Sequence, residues 1–206
     1  MPLLSLIKDS QSAVAIWKIE ESEDQLLSLL TIYDSIPETI THPNKRAEAI
    51  AGKLTTALLL KEFGQVYEGV IKNENGKPFL KNSNFHLSQS HSFPYVAVII
   101  SANQNVGIDI EQPKRNLAIV APRVFSQAEL KRTGADLTRL CIYWCAKEAL
   151  IKLYGKKDLR LIEEISVEDF TFQTKGIFTG RICRKGDEKS YALYYLVKEE
   201  FVLVHN

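Results

Sequence analysis

The stretch Gly107-Ile108-Asp109-Ile110-Glu111 sets two carboxylates two residues apart among β-branched neighbours. In a strand, side chains alternate between faces, so Asp109 and Glu111 project together while Ile108 and Ile110 turn to the core. Two carboxylates at a strand end make a hard-oxygen set suited to magnesium, which takes one or two carboxylates together with phosphate and water oxygens. The same pattern also serves as the polar side of a half-exposed strand. Downstream, Trp144, Glu148 and Lys152 fall at i, i+4 and i+8, along one stripe of a helix. Glu148 and Lys152 at that spacing can form a plain surface ion pair, but the tryptophan on their stripe argues against a fully solvated face. A third carboxylate near a metal, with a lysine beside it, fits phosphate chemistry. Ser88-Gln89-Ser90-His91-Ser92 adds hydroxyls, backbone N–H groups and an imidazole, all able to bind phosphate oxygens. A polar turn has the same composition.

Positioning these groups requires rigid elements. Ala13 to Ile19 reads as a strand, mostly apolar and β-branched. After an acidic segment, Pro43 can open a helix at its first position. Ala47, Ile50, Ala51, Leu54, Ala57 and Leu58 then keep helical spacing until Gly64. Gly76-Lys77-Pro78 marks a turn, and Phe85 to Leu87 and Tyr95 to Ser101 read as strands around an irregular serine-rich connection. Another turn at Asn103-Gln104-Asn105 leads into a strand over Val106 to Ile110. Ser126 with Glu129 three residues on has the form of a capping box. A second long helix covers Leu137 to Tyr154 and closes at Gly155. From Ile165 onward, strand-like segments alternate with expected turns at Gly176, Gly180 and Gly186, ending in Phe201 to Val204.

The 206 residues, 45% hydrophobic and 25% charged, suffice for one large domain or two small ones. A net charge of +1 disfavours a nucleic-acid binder, so any anion site is local. The opening residues lack a basic leader and do not read as a signal peptide. The apolar run Tyr95 to Ile100 is far short of a membrane span. Cys141 and Cys145, four apart in a helical pattern, suit packing better than a disulfide. The scattered histidines argue against zinc. A reducing, cytoplasmic setting fits. Ala57 to Gly64 also echoes Glu148 to Gly155, which implies, if not chance, two similar α+β halves meeting near residue 102.

Three segments occur in a telling order: Gly107-Ile108-Asp109-Ile110-Glu111, Phe125-Ser126-Gln127-Ala128-Glu129, and Trp144-Cys145-Ala146-Lys147-Glu148-Ala149-Leu150-Ile151-Lys152. Together they resemble the signature of the 4'-phosphopantetheinyl transferase superfamily. Upstream, Gly76-Lys77-Pro78-Phe79 and Ser90-His91-Ser92 resemble two further motifs of that family. The length is similar to the larger, Sfp-type branch, the holo-carrier-protein synthases built as one chain of two similar halves. The implied fold class is α+β, a pseudo-twofold arrangement in which each half packs an antiparallel sheet against a long helix. The halves fall at residues 1–102 and 103–206, with the metal ligands in the second.

The resemblance implies that magnesium (or manganese) is held by Asp109, Glu111 and Glu148. Glu148 and Lys152 carry the catalysis, Glu148 as base for the carrier serine and Lys152 on phosphate and the leaving 3',5'-ADP. Coenzyme A, the co-substrate, is bound by Arg46, Lys53, Lys77, Pro78, Ser90, His91 and Lys152. The partner is an apo carrier protein, acyl or peptidyl. No nucleic acid or membrane is expected, and an internally duplicated chain could complete its site as a monomer. Two departures stand out. Ser88-Gln89 inserts two residues before Ser90-His91-Ser92, leaving Gln89 as the other occupant of the histidine position. Lys53 stands where the family's second arginine is usual. Two other readings use the same residues: a metal-dependent hydrolase of a nucleotide anhydride, and a non-catalytic coenzyme A or carrier-binding module.

Overall fold

The computed structural model describes residues 3–30 and 36–206. They form a mixed α+β protein with antiparallel strand pairing, as the sequence implies. The chain divides into two compact units, Met1–Val106 and Gly107–Asn206.

The first unit runs β1 (Leu3–Lys8), β2 (Ser12–Lys18), α1 (Glu23–Leu29), α2 (Pro43–Glu62), β3 (Val70–Lys72), β4 (Pro78–Leu80), β5 (His86–Ser92) and β6 (Tyr95–Ser101). Four strands pair in the order β1-β2-β6-β5, and β3 pairs with β4. Pro43 opens α2 at a position whose N–H would lack a partner anyway, and the His42 ring accepts from the Asn44 N–H. Ala47, Ile50, Ala51 and Leu54 of α2 share one core with alternate residues of β2 and β6: Ala13, Ala15 and Trp17, Val96, Val98 and Ile100. The intervening Ile16 and Ile99 are buried too, which is why these strands read as unbroken apolar runs.

Two stretches differ from expectation here. Ser88 to Ser92 is not an irregular connection. It continues β5, which pairs with β6 from His86↔Ser101 to Ser92↔Tyr95. The ladder gives this polar stretch backbone partners, and Ser88 and Ser90 are small enough to be buried in it. The chain reverses at Phe93-Pro94 instead. The acidic segment after β2 folds into α1, opened by a reciprocal capping box between Ser22 and Gln25.

The second unit runs β7 (Ile108–Glu111), α3 (Arg115–Val124), α4 (Gln127–Thr133), α5 (Leu137–Tyr154), β8 (Ile165–Val167), β9 (Lys175–Arg184), β10 (Asp187–Val197) and β11 (Val202–His205). Its five strands lie in the order β7-β11-β10-β9-β8. The expected capping box opens α4, with Ser126 and Glu129 reciprocally bonded. Asp136 accepts from two N–H groups at the start of α5, and Gly155 ends it in the left-handed region. Leu140, Cys141, Ile142, Cys145, Ala146 and Leu150 of α5 form a core with the sheet. Both expected cysteines are buried free thiols.

Gly176 and Gly180, expected in turns, lie inside β9. A Cβ at Gly180 would come within 2.7 Å of Leu193 and 2.8 Å of Leu150, and one at Gly176 within 2.8 Å of the Tyr195 ring. These glycines make room for neighbours across the sheet. Gly186 does sit in the tight β9–β10 turn. No helix among the described residues is long and apolar enough to cross a membrane.

Candidate functional site

In the second unit, β7 pairs with β11, setting Asp109 opposite Val204 and Glu111 opposite Val202. Paired residues share a face, and Val202 and Val204 belong to the core formed with α5. Asp109 and Glu111 therefore do project together, toward the helix side. Ile108 and Ile110 are buried at the opposite face of the sheet. The strand can approach the helix because residue 107 is glycine: a Cβ there would lie 2.0 Å from the Ala149 carbonyl oxygen and 2.9 Å from the Leu153 nitrogen. That approach brings Lys152 within reach. Its Nζ donates to the Asp109 carboxylate at 2.7 Å and to the Ile108 carbonyl at 3.0 Å.

Glu148, one turn before Lys152, belongs to the same electrostatic group. Burial, then the charge of Asp109, pushes its carboxyl above the ordinary range; Lys152 opposes this and Glu111 adds to it. Asp109 is only 5% exposed, while Glu111, Glu148 and Lys152 are half-buried. Trp144 is partly buried against the core, so the stripe it shares with Glu148 and Lys152 is not a solvated face. Among the described residues, no three His, Cys, Asp or Glu side chains converge closely enough to enclose an ion. Asp109, Glu111 and Glu148 are nevertheless hard-oxygen donors, and the first two raise the cost of charge on Glu148, which is the chemistry a divalent cation relieves.

The Phe125–Glu129 motif has a different task. Glu129 Oε2 accepts from the Ser126 N–H at 2.8 Å, and Oε1 from the Val167 N–H at 3.1 Å. Lys147 Nζ stands 2.9 Å from Oε2 and donates to the carbonyls of Val124 (2.9 Å) and Leu161 (2.7 Å). Both charged side chains are 2% exposed. This buried pair ties α4 and the loop after α5 to the helix bearing Glu148 and Lys152.

The first unit contains a cavity of about 770 Å³ bordered by the start of α2, the β3–β4 region and the end of β5. Lys53, Ser90 and His91 line it, as do Lys45, Glu48, Lys72, Lys81 and Gln89. Arg46 does not line it. Its guanidinium bonds Glu23 at 2.7–2.8 Å and the Ile40 carbonyl at 3.1 Å, while the neighbouring Lys45 faces the cavity. Lys77 and Pro78 also lie outside the lining. Lys77 reaches Asn105 at 3.4 Å, and burial holds its ammonium below the ordinary range. Gln89 and His91 share one face of β5, turned to α2: Gln89 Nε2 donates to Thr56 Oγ1 at 2.7 Å and His91 meets Glu48. Ser90 points to the other face. Lys45, which stands with Arg46 and Lys53 among the basic residues of this helix expected near phosphate, lines the cavity, whereas Glu48 was missed in the sequence. The available signal was its i, i+3 spacing from Lys45 beside the apolar stripe of α2.

Residues 105–203, which hold all four acidic and basic groups of the second unit's site, match the family model described as the 4'-phosphopantetheinyl transferase superfamily. The resemblance carried by the three motifs from Gly107 to Lys152 is thus found again by comparison of the whole stretch. The 4'-phosphopantetheinyl transferases AcpT of Salmonella typhi and Salmonella typhimurium are each 30% identical to this chain over 119 residues. That alignment covers 54% of this chain and 60% of each relative. A Haemophilus influenzae protein is 32% identical over 114 residues, 52% of this chain and 45% of its own length. The similarity therefore spans at most 60% of these relatives.

Proposed function

We propose that this chain transfers the 4'-phosphopantetheine group of coenzyme A to a serine of an apo acyl or peptidyl carrier protein, releasing 3',5'-ADP. The observation that carries this reading is the Asp109–Lys152 contact, with Glu148 and Glu111 in electrostatic reach, inside the stretch that matches the transferase family. Asp109, Glu111 and Glu148 would hold magnesium, with manganese the alternative. When bound, the cation supplies charge neutralisation at the pyrophosphate as the anhydride breaks.

The side chains supply the rest. Ionised Glu148 takes the serine proton, directly or through a water, and its raised proton affinity makes it a stronger base than an exposed carboxylate. The serine oxygen bonds to the phosphorus bearing the pantetheine arm while the bond to the leaving phosphate breaks, so no enzyme-bound intermediate is needed. Lys152, held by Asp109 and the Ile108 carbonyl, offers its charge to the departing 3',5'-ADP. The nucleotide end of coenzyme A is assigned to Lys53, Ser90 and His91, in a cavity also bordered by the positive end of α2. Lys77 and Pro78 keep their assignment beside it. The protein would work in the cytoplasm as a monomer of the Sfp-type branch.

Chromatographic measurement of 3',5'-ADP release, with and without apo carrier, tests the reading. Carrier-dependent release supports it. Carrier-independent release with free phosphopantetheine makes the protein a hydrolase, and binding of coenzyme A without turnover on any carrier makes it a binding module.

A further inference from the structure

Among the described residues lining the first unit's cavity, Glu48 is the one acid, beside Lys45, Lys53, Lys72, Lys81 and two histidines. Nothing in the proposed chemistry uses it. Its side chain is 1% exposed, on the second turn of α2. Oε2 lies 2.6 Å from Lys45 Nζ and 3.1 Å from His91 Nδ1, and those two nitrogens are 3.4 Å apart. Neither carboxylate oxygen is reached by solvent, and Oε1 has no hydrogen-bond partner among the described residues. A buried acid with an unsatisfied oxygen is costly, so its retention calls for a reason.

The geometry supplies one. Lys45 and His91 are about half exposed, and two nitrogen donors this close repel one another and drift apart without a counter-charge. Glu48 is that counter-charge. Burial pushes its carboxyl up, but His91 and Lys45 together outweigh burial and hold it below the ordinary range, so it is ionised at neutral pH. An imidazole facing a carboxylate through Nδ1 carries a hydrogen there, which leaves Nε2 turned to a ligand, donating to a phosphate oxygen when that nitrogen also carries a proton.

We propose that Glu48 is a positioning residue: it holds Lys45 and His91 side by side as a ready-made clamp for a phosphate monoester. This rests on the coenzyme A reading, in which His91 meets the 3'-phosphate. The acid, sealed beneath Lys45 and His91, meets no ligand itself. It spares the ligand the cost of ordering a long lysine and a rotating ring on binding.

The test is calorimetric titration of the full chain with 3',5'-ADP and with 5'-AMP, for wild type, Glu48→Gln and Glu48→Ala, beside ¹⁵N NMR of the His91 ring. The expected result is a loss of about three- to tenfold in 3',5'-ADP affinity in both variants, the scale of ion pairs on half-exposed cations. Binding of 5'-AMP stays the same, the ring passes from one Nδ1–H tautomer to a mixture, and the melting temperature does not fall. Unchanged or tighter 3',5'-ADP binding overturns the proposal. So does an equal loss for 5'-AMP, which marks general damage to the cavity. A wild type that binds neither nucleotide refutes the coenzyme A reading instead. The ring spectrum then decides Glu48 alone: a mixture in Glu48→Ala supports the positioning role, and an unchanged ring overturns it.

Discussion

Glu129→Gln should unsettle the second unit far more than the loss of one charge at the surface would. Lys147 Nζ has its three hydrogens directed at Glu129, the Val124 carbonyl and the Leu161 carbonyl, with no route to water. Glu129 in turn accepts from the Ser126 and Val167 N–H groups through different oxygens. A glutamine keeps only one acceptor oxygen, so its NH₂ must face either the Val167 N–H or the Lys147–Ser126 side. It also leaves the ammonium buried without its counter-charge. Removing one partner of such a pair costs about 3–5 kcal/mol. Lys147→Met, which instead strands Glu129 and two carbonyls, should cost a similar amount. The double variant should cost less than the sum by about 1–3 kcal/mol, because the second change removes the charge that the first left unpaired. Urea unfolding measures this cleanly in a Trp17→Phe background, where Trp144 in α5 is the remaining tryptophan. A loss below about 1 kcal/mol for Glu129→Gln, or strict additivity in the double variant, would refute the reasoning.

Three further outcomes are expected. Gly107→Ala places a Cβ against the backbone of α5, so it should lose about 1–3 kcal/mol in thermal unfolding. The folded fraction should also transfer poorly because Lys152 no longer meets Asp109; wild-type activity in a folded protein would contradict the close-approach account. Cys145→Ala should keep its transfer rate, since burial first, then the Cys141 hydrogen bond and the Asp109 charge, push the thiol well up and leave no thiolate; a folded but inactive variant would show the opposite. Burial holds the His205 imidazole below its ordinary range, with the Asn206 carbonyl opposing. The unfolded chain therefore binds the proton first, and His205 contributes stability that is present above pH about 6.5 and lost as pH falls through its folded value. His205→Phe should flatten stability curves between about pH 7 and 5, and an unchanged slope would count against it.

The elements were legible where local chemistry and packing agree. Pro43, the apolar stripe of α2 and the Ser126–Glu129 box announced their helices, and Gly155 its stop. Asp109 and Glu111 were legible as a pair sharing one face because the strand period is two. What the sequence hid depends on long-range pairing. Ser88 to Ser92 reads as a loop until β6 supplies its ladder, after which Gln89 and His91 fall on one face and Ser90 on the other. Gly176 and Gly180 read as turns until Tyr195, Leu193 and Leu150 are seen to fill the space above them. Lys45 and Arg46 are neighbours in sequence but about 100° apart around the helix, so one faces the cavity and the other Glu23. The acid of the Phe125–Glu129 motif was legible as a cap, yet its partnership with Lys147 spans two helices and could not be read from spacing.

The most direct measurement is the intact mass of an apo acyl or peptidyl carrier protein after incubation with this chain, coenzyme A and magnesium. The account predicts a gain of one phosphopantetheine group on the carrier. That gain should disappear with EDTA and with Asp109→Ala, and fall sharply with Glu148→Gln and Lys152→Ala, while each variant stays folded. An unmodified carrier under conditions where coenzyme A is consumed, or full modification by Asp109→Ala in EDTA, would contradict it.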